Sequence, residues 1–588
     1  MSSTRSSWAV LLIALIALSA SIAGAQELRG VVRDSVTGTP IAGAVLVLMD
    51  SSGGALGRNI TNERGEYRLA MSAFIRRMRI LRIGYRPRIV ELPVVSGGVM
   101  RVDVAMIAVP LLLEAMNVSD QPECPRRPDG RAALALWEQA RAGLLSTIVA
   151  RTAKPGVMTR LVARRVLEDE PAGVLTQSVR IDSGLSTHAF SASYTADRFI
   201  ESGFRTAAGD DIYFHSPDAE VLLDDAFARA YCFHIARGGT SRPHQIGLGF
   251  APPRLRRGRV DIEGTLWIDS LARALVGLEF RYVGLDRPQQ DLNPRGSVSF
   301  RTMPNGVPLI DDWSLLLPVT REVEGPTPAA RRRRVFGYTA GGHPVVLDLE
   351  VTHGVLAHGR WLDSATWQAP LQTIRGRLMS NGKPVARATV GLAATDYRAS
   401  TDSSGNFAIT DLLPGRYYFS VPDSQLNAVG FERTRAQRVD VTVDGVAQAE
   451  VEVPTEEDFV RAKCSDAPSQ KILVIGRVFR PDTTLARYAT ITLRRDRRPI
   501  DSKQEPEWEA IATAETGGSP LFYSVYDGSL GSAGAFAICL ERYKRQPARY
   551  RIDAALDQDS ATAYFDPRSP ASRIYTLALR LARPGASR

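Results

Sequence analysis

The chain has 588 residues, of which 44% are hydrophobic and 23% are charged, and its formal net charge at pH 7 is +10. This composition is typical of folded globular domains and excludes a collagen-like or intrinsically disordered chain. A chain of this length predicts several domains of about 100–200 residues each.

The first 25 residues have the pattern of a secretory signal peptide. A positively charged start precedes the apolar run 8–18, and Ala23–Ala25 is a small-x-small cleavage site. The apolar run is shorter than the roughly 20 residues of a membrane-spanning helix, which argues against the alternative of an uncleaved anchor. No cysteine follows the cleavage site, so we expect no lipid anchor. The sequence therefore predicts cleavage after Ala25 and export to the periplasm, the outer membrane or the cell surface.

The segment that follows the leader has the pattern of short β-strands. Residues 30–48 contain a strand that opens on glycine, a polar turn and a second strand of alternating character. The phrase TNERGEYRL comes next, at 61–69. Asn62 can turn the chain by bonding to its own backbone two residues on, and Gly65 supplies a positive φ that other residues resist. The phrase therefore predicts a turn between two core strands.

The middle of the chain combines a helix with many strands. Residues 129–151 predict a helix, because apolar residues recur there at helical spacing and Asp129 can cap the first turn. Seven strand-like runs follow between residues 157 and 319, many of them separated by short polar turns. This pattern predicts an antiparallel sheet with the helix packed against one face.

One hairpin of this sheet, at 264–282, resembles the strand–turn–strand hairpin of lipoprotein-carrier half-barrels. Such a half-barrel would cup an apolar ligand, because ligand sites are concave and mostly hydrophobic. Trp267 and Phe280 would then line the cavity as the candidate ligand-binding residues. The alternative is a core filled by side chains, which is the usual state of a small barrel. We expect the filled core.

The phrase recurs as TDSSGNFAI at 401–409, with Gly405 in the position of the earlier glycine. Both copies lie within a longer pattern, G-x-V…G-x-P-x-x-x-A-x-V…T-D-x-x-G-x-F-x-I…G-x-Y, at 27–107 and 373–453. This pattern resembles the carboxypeptidase regulatory-like domain. The resemblance implies a small seven-stranded β-sandwich of the transthyretin-like, immunoglobulin-like or starch-binding-like kind.

The same resemblance implies domains that carry no catalytic residues of their own. Members of the family dock beside enzymes, extend surface proteins, or precede the plug of TonB-dependent outer-membrane receptors. Residues 111–125 resemble the segment that follows the domain in those receptors. The chain as a whole is not expected to be such a receptor, because sandwiches at 371–588 stand where the receptor's barrel would have to be.

A third, divergent copy begins at Lys471 and resumes at 531–540, with Gly534 as its turn glycine. The third copy is expected to lack the threonine and the acidic residue of the phrase. An insertion at 494–530, which the family pattern lacks, is expected to separate its two halves.

The chain has four cysteines, which is an even number in a protein predicted to be exported, so disulfides are expected. Three pairings are possible. Sequence order and the domain boundaries favour Cys124–Cys232 and Cys464–Cys539. The alternative is a zinc site, but the sequence has neither a CxxC motif nor paired Cys and His at ligand spacing.

No catalytic motif is recognisable in the sequence. None of the seven histidines forms HxxE or HExxH, and there is no nucleophile elbow, phosphate-binding loop or dinucleotide fingerprint. Adjacent carboxylates occur at 210–211, 224–225 and 311–312. Neighbours in a strand point to opposite faces, so such pairs are expected to be turn or cap residues. The sequence therefore predicts a protein without catalytic residues, metal or cofactor.

Arginine dominates the basic residues, since only six lysines are present, and this bias indicates a GC-rich bacterial genome. Arginine clusters occur at 254–259, 331–334 and 494–498. They could attract an anionic membrane surface or an acidic polysaccharide. The alternative, which we favour, is solvated arginine on turns and edge strands. Nucleic acid is excluded as a partner by the predicted export.

Together these patterns predict a mostly β, multidomain protein. The expected segments are a signal peptide at 1–25, transthyretin-like or Ig-like β-sandwiches at 26–110, 371–456 and 465–588, and a central α+β antiparallel-sheet domain at 111–370. The expected function is non-enzymatic binding or scaffolding, with a cell-envelope protein or polysaccharide as the partner. The alternatives are a periplasmic carrier of an apolar ligand or lipoprotein, and a hydrolase whose site has no readable motif.

Overall fold

The computed structural model describes residues 27–72, 74–93, 98–109, 130–167, 174–208, 211–322, 335–338, 344–429, 433–442, 447–453, 455–464, 471–499, 502–516, 522–524, 530–531, 534–541, 549–565 and 573–583. The predicted signal peptide with Ala25, the predicted disulfide partner Cys124 and the arginines at 331–334 lie outside these ranges. With 54% strand and 12% helix arranged in several separate sheets, the fold is mostly β and multidomain, as predicted.

The first region is a β-sandwich of short strands. They are β1 Glu27–Asp34, β2 Val45–Met49, β3 Ala55–Ile60, β4 Glu66–Ala70, β5 Arg77–Leu81, β6 Arg88–Glu91, β7 Val99–Arg101 and β8 Val104–Met106. One sheet has the order β4-β1-β7, with β8 also paired to β1, and the other has the order β3-β2-β5-β6. Fully buried residues alternate with less buried ones along β1, so Leu28 and Val32 enter the core between the two sheets.

The central region combines one long helix with a large antiparallel sheet. The helices are α1 Gly130–Ala153, α2 Ala196–Ser202, α3 Ala219–Leu223, α4 Asp225–Ala230 and α5 Arg287–Asp291. The strands are β9 Gly156–Leu167, β10 Val174–Leu185, β11 Arg205–Ala208, β12 Asp211–Phe214, β13 Cys232–Arg237, β14 Gln245–Ala251, β15 Asp261–Asp269, β16 Ala274–Val283, β17 Arg295–Thr302, β18 Pro308–Glu322, β19 Val335–Tyr338, β20 Pro344–Trp361 and β21 Thr366–Gln368. The main sheet has the order β13-β14-β15-β16-β17-β18-β20-β9-β10.

Helix α1 lies between the first sandwich and this sheet. The side-chain amide of Gln139 is buried and accepts a hydrogen bond from Gly84 N at 2.7 Å while it donates to Tyr85 O at 3.3 Å. At Gly143 the helix approaches the sandwich so closely that a Cβ would lie 2.8 Å from Ile83 Cδ1. The first sandwich is therefore packed firmly against the central region.

The second and third sandwiches repeat the strand order of the first. The second contains β22 Gln372–Ser380, β23 Lys383–Pro384, β24 Thr389–Leu392, β25 Arg398–Ser400, β26 Asn406–Leu412, β27 Gly415–Val421, α6 Ser424–Ala428, β28 Arg433–Val441 and β29 Ala447–Glu452. After α7 Glu456–Lys463, the third contains β30 Lys471–Phe479, β31 Thr490–Asp496, β32 Trp508–Glu515, β35 Ala535–Glu541, β36 Tyr550–Leu556, β37 Asp559–Phe565 and β38 Ile574–Arg580, with β33 Phe522–Ser524 and β34 Leu530–Gly531 inserted. In every copy the first strand pairs antiparallel with the strand after the turn glycine and parallel with the last strand.

The repeated phrase forms the predicted turn. Asn62 Oδ1 accepts hydrogen bonds from the backbone N–H groups two and four residues on, at 3.0 and 2.9 Å. Asp402 Oδ1 makes the same two bonds at 2.7 and 2.9 Å. The turn glycines of the three copies, Gly65, Gly405 and Gly534, have φ angles of +70°, +79° and +71°. The conformation that the phrase predicts is thus present in all three sandwiches.

The phrase's threonine is also present in the third copy, so the prediction that it is lost was wrong. Thr61, Thr401 and Thr516 are all buried. In each, the hydroxyl donates to a backbone carbonyl at 2.7 Å and accepts from a backbone N–H at 2.8–2.9 Å. The threonine precedes the glycine by four residues in the first two copies and by eighteen in the third.

The predicted bounds of the insertion were therefore wrong as well. Residues 490–496 and 508–515 are ordinary sandwich strands, β31 and β32, and the added residues lie between Thr516 and Gly534. The strands β33 and β34 within this insertion leave the third sandwich. β33 pairs with β10 and so extends the sheet of the central region.

The second sandwich packs on the opposite end of the central sheet from β13. Its core cluster includes Leu161, Ala163 and Val179 from β9 and β10. The carboxylate of Asp396 accepts a hydrogen bond from Ile181 N at 2.8 Å. These shared contacts connect the second sandwich to the central sheet as firmly as α1 connects the first.

The predicted disulfide Cys464–Cys539 is confirmed, and it joins the end of α7 to β35 across a sequence separation of 75 residues. Cys232 is disulfide-bonded too, while its predicted partner lies outside the described residues. Within the part of the chain that the structure describes, no helix has both the length and the apolar character needed to cross a membrane.

Candidate functional site

The two residues predicted to line a ligand cavity, Trp267 and Phe280, lie on opposite faces of the sheet, so the prediction that they share a cavity was wrong. The register of β15 and β16 pairs Trp267 with Gly277 and Phe280 with Gly264. Paired residues share a face, and successive residues alternate between faces. Phe280 is only 3% exposed, whereas Trp267 belongs to the face that points away from α1.

The face that holds Phe280 is filled. Leu266 and Leu278 share a buried cluster with Leu136 and Leu144 of α1. The helix thus occupies, within the described residues, the volume where a carrier would hold its apolar ligand. This arrangement matches the expected filled core.

The opposite face of the sheet carries a groove with a volume of about 810 Å³. It crosses several neighbouring strands, and its lining includes the apolar residues Phe250, Phe280, Leu316 and Val351. The other side chains of the lining are mostly polar. They include His234, Glu263, Thr265, Glu279, Arg281, Arg295, Ser297 and Ser314.

The register explains why these side chains meet. Thr265 is opposite Glu279, Glu279 is opposite Ser297, and Ser297 is opposite Ser314. Cross-strand neighbours have Cβ atoms about 4.5–5.5 Å apart. Four strands therefore place one continuous row of hydroxyl and carboxylate groups across the groove floor.

Ion pairs hold both carboxylates of the groove, while Arg295 donates from Nη1 to Asn293 O at 3.2 Å. Arg281 donates to Glu263 Oε1 through Nε at 2.6 Å. Arg242 bonds both carboxylate oxygens of Glu279, one of them at 3.0 Å, and its guanidinium lies 4.6 Å above the Trp267 ring. The hydrogen bond from Arg242 holds the pKa of Glu279 below its usual range, even though partial burial acts to raise it.

His234 forms one wall of the groove. Its imidazole covers Gly249 so closely that a Cβ there would lie 2.2 Å from Nε2. Burial lowers the pKa of His234, against the opposing effect of Glu263, so the imidazole is neutral at pH 7. The groove therefore offers donors and acceptors in fixed positions, with its carboxylates matched by guanidinium groups.

Beside the groove, Ser314, His353 and Asp312 combine the residue types of a catalytic triad. His353 Nε2 lies 2.8 Å from Asp312 Oδ2, and Ser314 is directly opposite His353. No hydrogen bond joins Ser314 to His353 in the described part of the chain, and β18 and β20 use their backbone N–H groups in the sheet ladder. An acyl-transfer site needs both that bond and free N–H donors for an oxyanion. The arrangement does not supply them.

The adjacent carboxylate pairs that the sequence offers as possible catalytic residues have structural positions. Asp224 caps α4 by accepting from Ala226 N at 2.8 Å, as expected for an adjacent carboxylate pair. Asp311 and Asp312 instead lie within β18 and point to opposite faces. Among the described residues, no group of three or more His, Cys, Asp or Glu side chains could hold a metal ion.

Among the described residues, ion pairs hold Arg259 and all four arginines of the cluster 494–498, whereas Arg254, Arg256 and Arg257 lie exposed. Arg259 forms an ion pair of 3.1 Å with Asp261, and the two side chains are only 11% and 7% exposed. In the cluster 494–498, each arginine has a carboxylate oxygen within 2.8–3.8 Å. These pairs reduce the charge that the clusters present to solvent.

The family of carboxypeptidase regulatory-like domains matches the chain at 27–107 and 373–454. The chain therefore contains two domains of this kind, as the repeated phrase predicted. The third sandwich lies outside the matched residues but has the same strand order. No curated protein matches the sequence.

Solved structures give weak likenesses. The Bacillus anthracis TIE protein is 9% identical with a TM-score of 0.13, and the alignment covers 64% of each chain. A DUF3823 family protein from Bacteroides ovatus ATCC 8483 is 12% identical with a TM-score of 0.11, over 34% of this chain and 96% of that one. The shaft pilin SpaA from Lactobacillus rhamnosus GG is 11% identical with a TM-score of 0.11, over 37% and 100%. At such scores these likenesses say nothing about what this chain binds.

Proposed function

We propose that the protein is a non-enzymatic binding protein of the bacterial cell envelope, which holds a polysaccharide in the groove across its central sheet. The observation that carries this proposal is the polar groove of about 810 Å³ on the face opposite α1. Ligand sites for small molecules have volumes of about 300–1,000 Å³, so the groove has room for a few sugar residues of a longer chain.

The chemistry of the groove suits sugar hydroxyls, which both donate and accept hydrogen bonds. Glu263 and Glu279 supply acceptors, and their arginine partners supply donors. Thr265 and Ser297 add hydroxyls between them. Because a guanidinium group already neutralises each carboxylate of the groove, the groove favours an uncharged polar ligand over a cationic one. An apolar ligand would displace water from the hydroxyls of Thr265 and Ser297 without replacing its hydrogen bonds, at a cost of about 1–3 kcal/mol each.

The packing of the sandwiches against the central region supports a scaffolding role for them. The first is connected to the central sheet through α1 and the second through β9 and β10. The third contributes β33 to the same sheet. Such contacts hold the groove and the sandwiches in one arrangement. Export belongs to the proposal and is supported by the signal-peptide pattern and by the disulfide, since disulfides persist in oxidising compartments.

The test uses the full mature chain and a panel of neutral and acidic envelope polysaccharides, with binding measured by calorimetry. Ser297→Trp fills the groove from its floor without touching the buried face. Ser400→Trp places the same side chain on an exposed strand of the second sandwich and is the matched control. We expect a neutral polysaccharide to bind the wild type and the control, and to bind the Ser297→Trp variant at least tenfold more weakly.

The proposal is wrong if no polysaccharide binds, or if both tryptophan variants bind as the wild type does. Binding of a partner protein that Ser297→Trp blocks would also refute it, because the groove would then be a protein-docking site.

A further inference from the structure

The outer face of the third sandwich carries two aromatic rings, of which Trp508 is half-buried and Tyr564 is exposed. Trp508 on β32 and Tyr564 on β37 come from the two edge strands of one sheet, and their ring centroids lie 5.8 Å apart at 46°. Tyr564 is 67% exposed. Aromatic rings usually bury their large apolar area. A pair of rings that meets above the solvent-facing side of a sheet is therefore a feature that its own fold does not require.

Charged side chains surround the two rings and are held in place. Arg551 lies with its guanidinium 5.4 Å above the Trp508 ring. It donates to Asp553 Oδ2 through Nε at 3.0 Å and Nη2 at 2.8 Å, and Arg494 Nε donates to the same oxygen at 2.8 Å. The other oxygen accepts from the Thr562 hydroxyl at 2.8 Å. Every group of this network therefore has a defined orientation.

The network has more donors than acceptors. Partial burial acts to raise the pKa of Asp553, but the hydrogen bonds from the arginines and the threonine outweigh it and hold the pKa low. The carboxylate is thus charged at neutral pH, and both of its oxygens are occupied. Two guanidinium groups share it, and each has five N–H donors. The two guanidinium groups therefore keep, beside the rings, N–H groups that Asp553 does not occupy.

We propose that this face binds an acidic polysaccharide, with sugar rings stacked on Trp508 and Tyr564 and with uronic acid carboxylates bound by the guanidinium groups of Arg494 and Arg551. The apolar C–H face of a sugar fits a flat ring, and its carboxylate takes the N–H donors that Asp553 leaves free. Trp, Tyr and Arg are also the residues that most often dominate binding energy. A membrane surface would bind exposed cations and aromatic rings without requiring the fixed geometry of this network. The site is separate from the central groove and does not rest on it.

The experiment uses the full mature chain and three probes: alginate oligosaccharide, neutral dextran and vesicles that contain phosphatidylglycerol. Tyr564→Ala removes an exposed ring, and Arg494→Gln removes one guanidinium. Tyr213→Ala, an exposed tyrosine of the central region, is the matched control. We expect the wild type and the control to bind alginate with quenching of tryptophan fluorescence. Each site variant should bind at least tenfold more weakly, because truncation of such residues commonly has an effect of this size.

Ser297→Trp, in the central groove, should leave alginate binding unchanged, which separates this proposal from the previous one. Equal alginate binding by the wild type and by both site variants would overturn the proposal. So would tighter binding to the vesicles than to alginate, or loss of alginate binding in the Tyr213→Ala control.

Discussion

Replacing Gly405 by valine should unfold or loosen the second sandwich. Gly405 has a φ of +79°, and a Cβ there would lie 2.9 Å from both Leu378 O and Pro384 Cβ and 3.2 Å from Val385 N. A β-branched residue at positive φ costs about 1–3 kcal/mol, and forcing atoms into a packed site costs about 1–3 kcal/mol more. The expected loss of about 2–6 kcal/mol is large beside a typical domain stability of about 5–15 kcal/mol.

The measurement must report on one domain at a time, because a chain of several domains has no single free energy of unfolding. Hydrogen exchange followed by mass spectrometry meets this need. Amides of β26 should exchange faster in the Gly405→Val protein, while those of β4 in the first sandwich should not change. Gly65→Val should show the reverse, since a Cβ at Gly65 would lie 2.5 Å from Val32 O.

Gly382 provides the matched control. Its φ is +74°, but no atom lies within 4 Å of its ideal Cβ. Gly382→Val therefore carries the conformational cost without the steric one and should perturb the second sandwich less than Gly405→Val does. Unchanged exchange at β26 in Gly405→Val, or equal effects of the two substitutions, would refute the reasoning.

Four further variants test other parts of the fold. Phe280→Glu should prevent folding of the central region, since an unpaired buried charge costs several kcal/mol. Trp267→Glu, on the open face, should leave it folded, and circular dichroism of the two proteins would distinguish them; equal loss of structure would contradict the assigned faces. Thr516→Val should destabilise the third sandwich by about 1–3 kcal/mol, because two buried backbone groups lose their partner, and hydrogen exchange in β31 equal to that of the wild type would be evidence against that role. In a Cys464→Ser, Cys539→Ser double variant the third sandwich should lose up to about 4 kcal/mol for a loop of this length, which hydrogen exchange in β35 would measure, and unchanged exchange there would show that the bond adds no stability.

Local patterns predicted the sandwiches well. The phrase around Gly65 and Gly405 specifies a turn within nine residues, so its geometry does not depend on distant parts of the chain. Alternation then placed the following strand with its aromatic residue, Tyr67 or Phe407, in the core. The phrase was harder to recognise in the third copy, because the insertion separates Thr516 from Gly534. A pattern with fixed spacing does not find a threonine moved by fourteen residues.

Such patterns could not predict which face of the central sheet each side chain occupies. Leu266, Trp267 and Ile268 are consecutive apolar residues, so β15 shows no clear alternation at that point. The register with β16 also shifts between Trp267 and Ile268. The groove depends on register in the same way, since Ser314 reaches Ser297 only through the pairing of β17 with β18. A row of polar side chains drawn from several strands has no signature along the sequence.

The pairing of β33 with β10 has a consequence for the order in which the protein can be completed. Synthesis proceeds from the N-terminus, and β10 is made more than 300 residues before β33. Until the last sandwich has emerged, the outer backbone groups of β10 at Thr176 and Gln177 lack the partners that Ser524 and Tyr523 give them. Domains generally fold as units, N-terminal first. Here the central sheet can be completed only after residues near the end of the chain have been synthesised. A shortened protein that stops before residue 522 would carry an open strand edge, which is a template for pairing with another molecule.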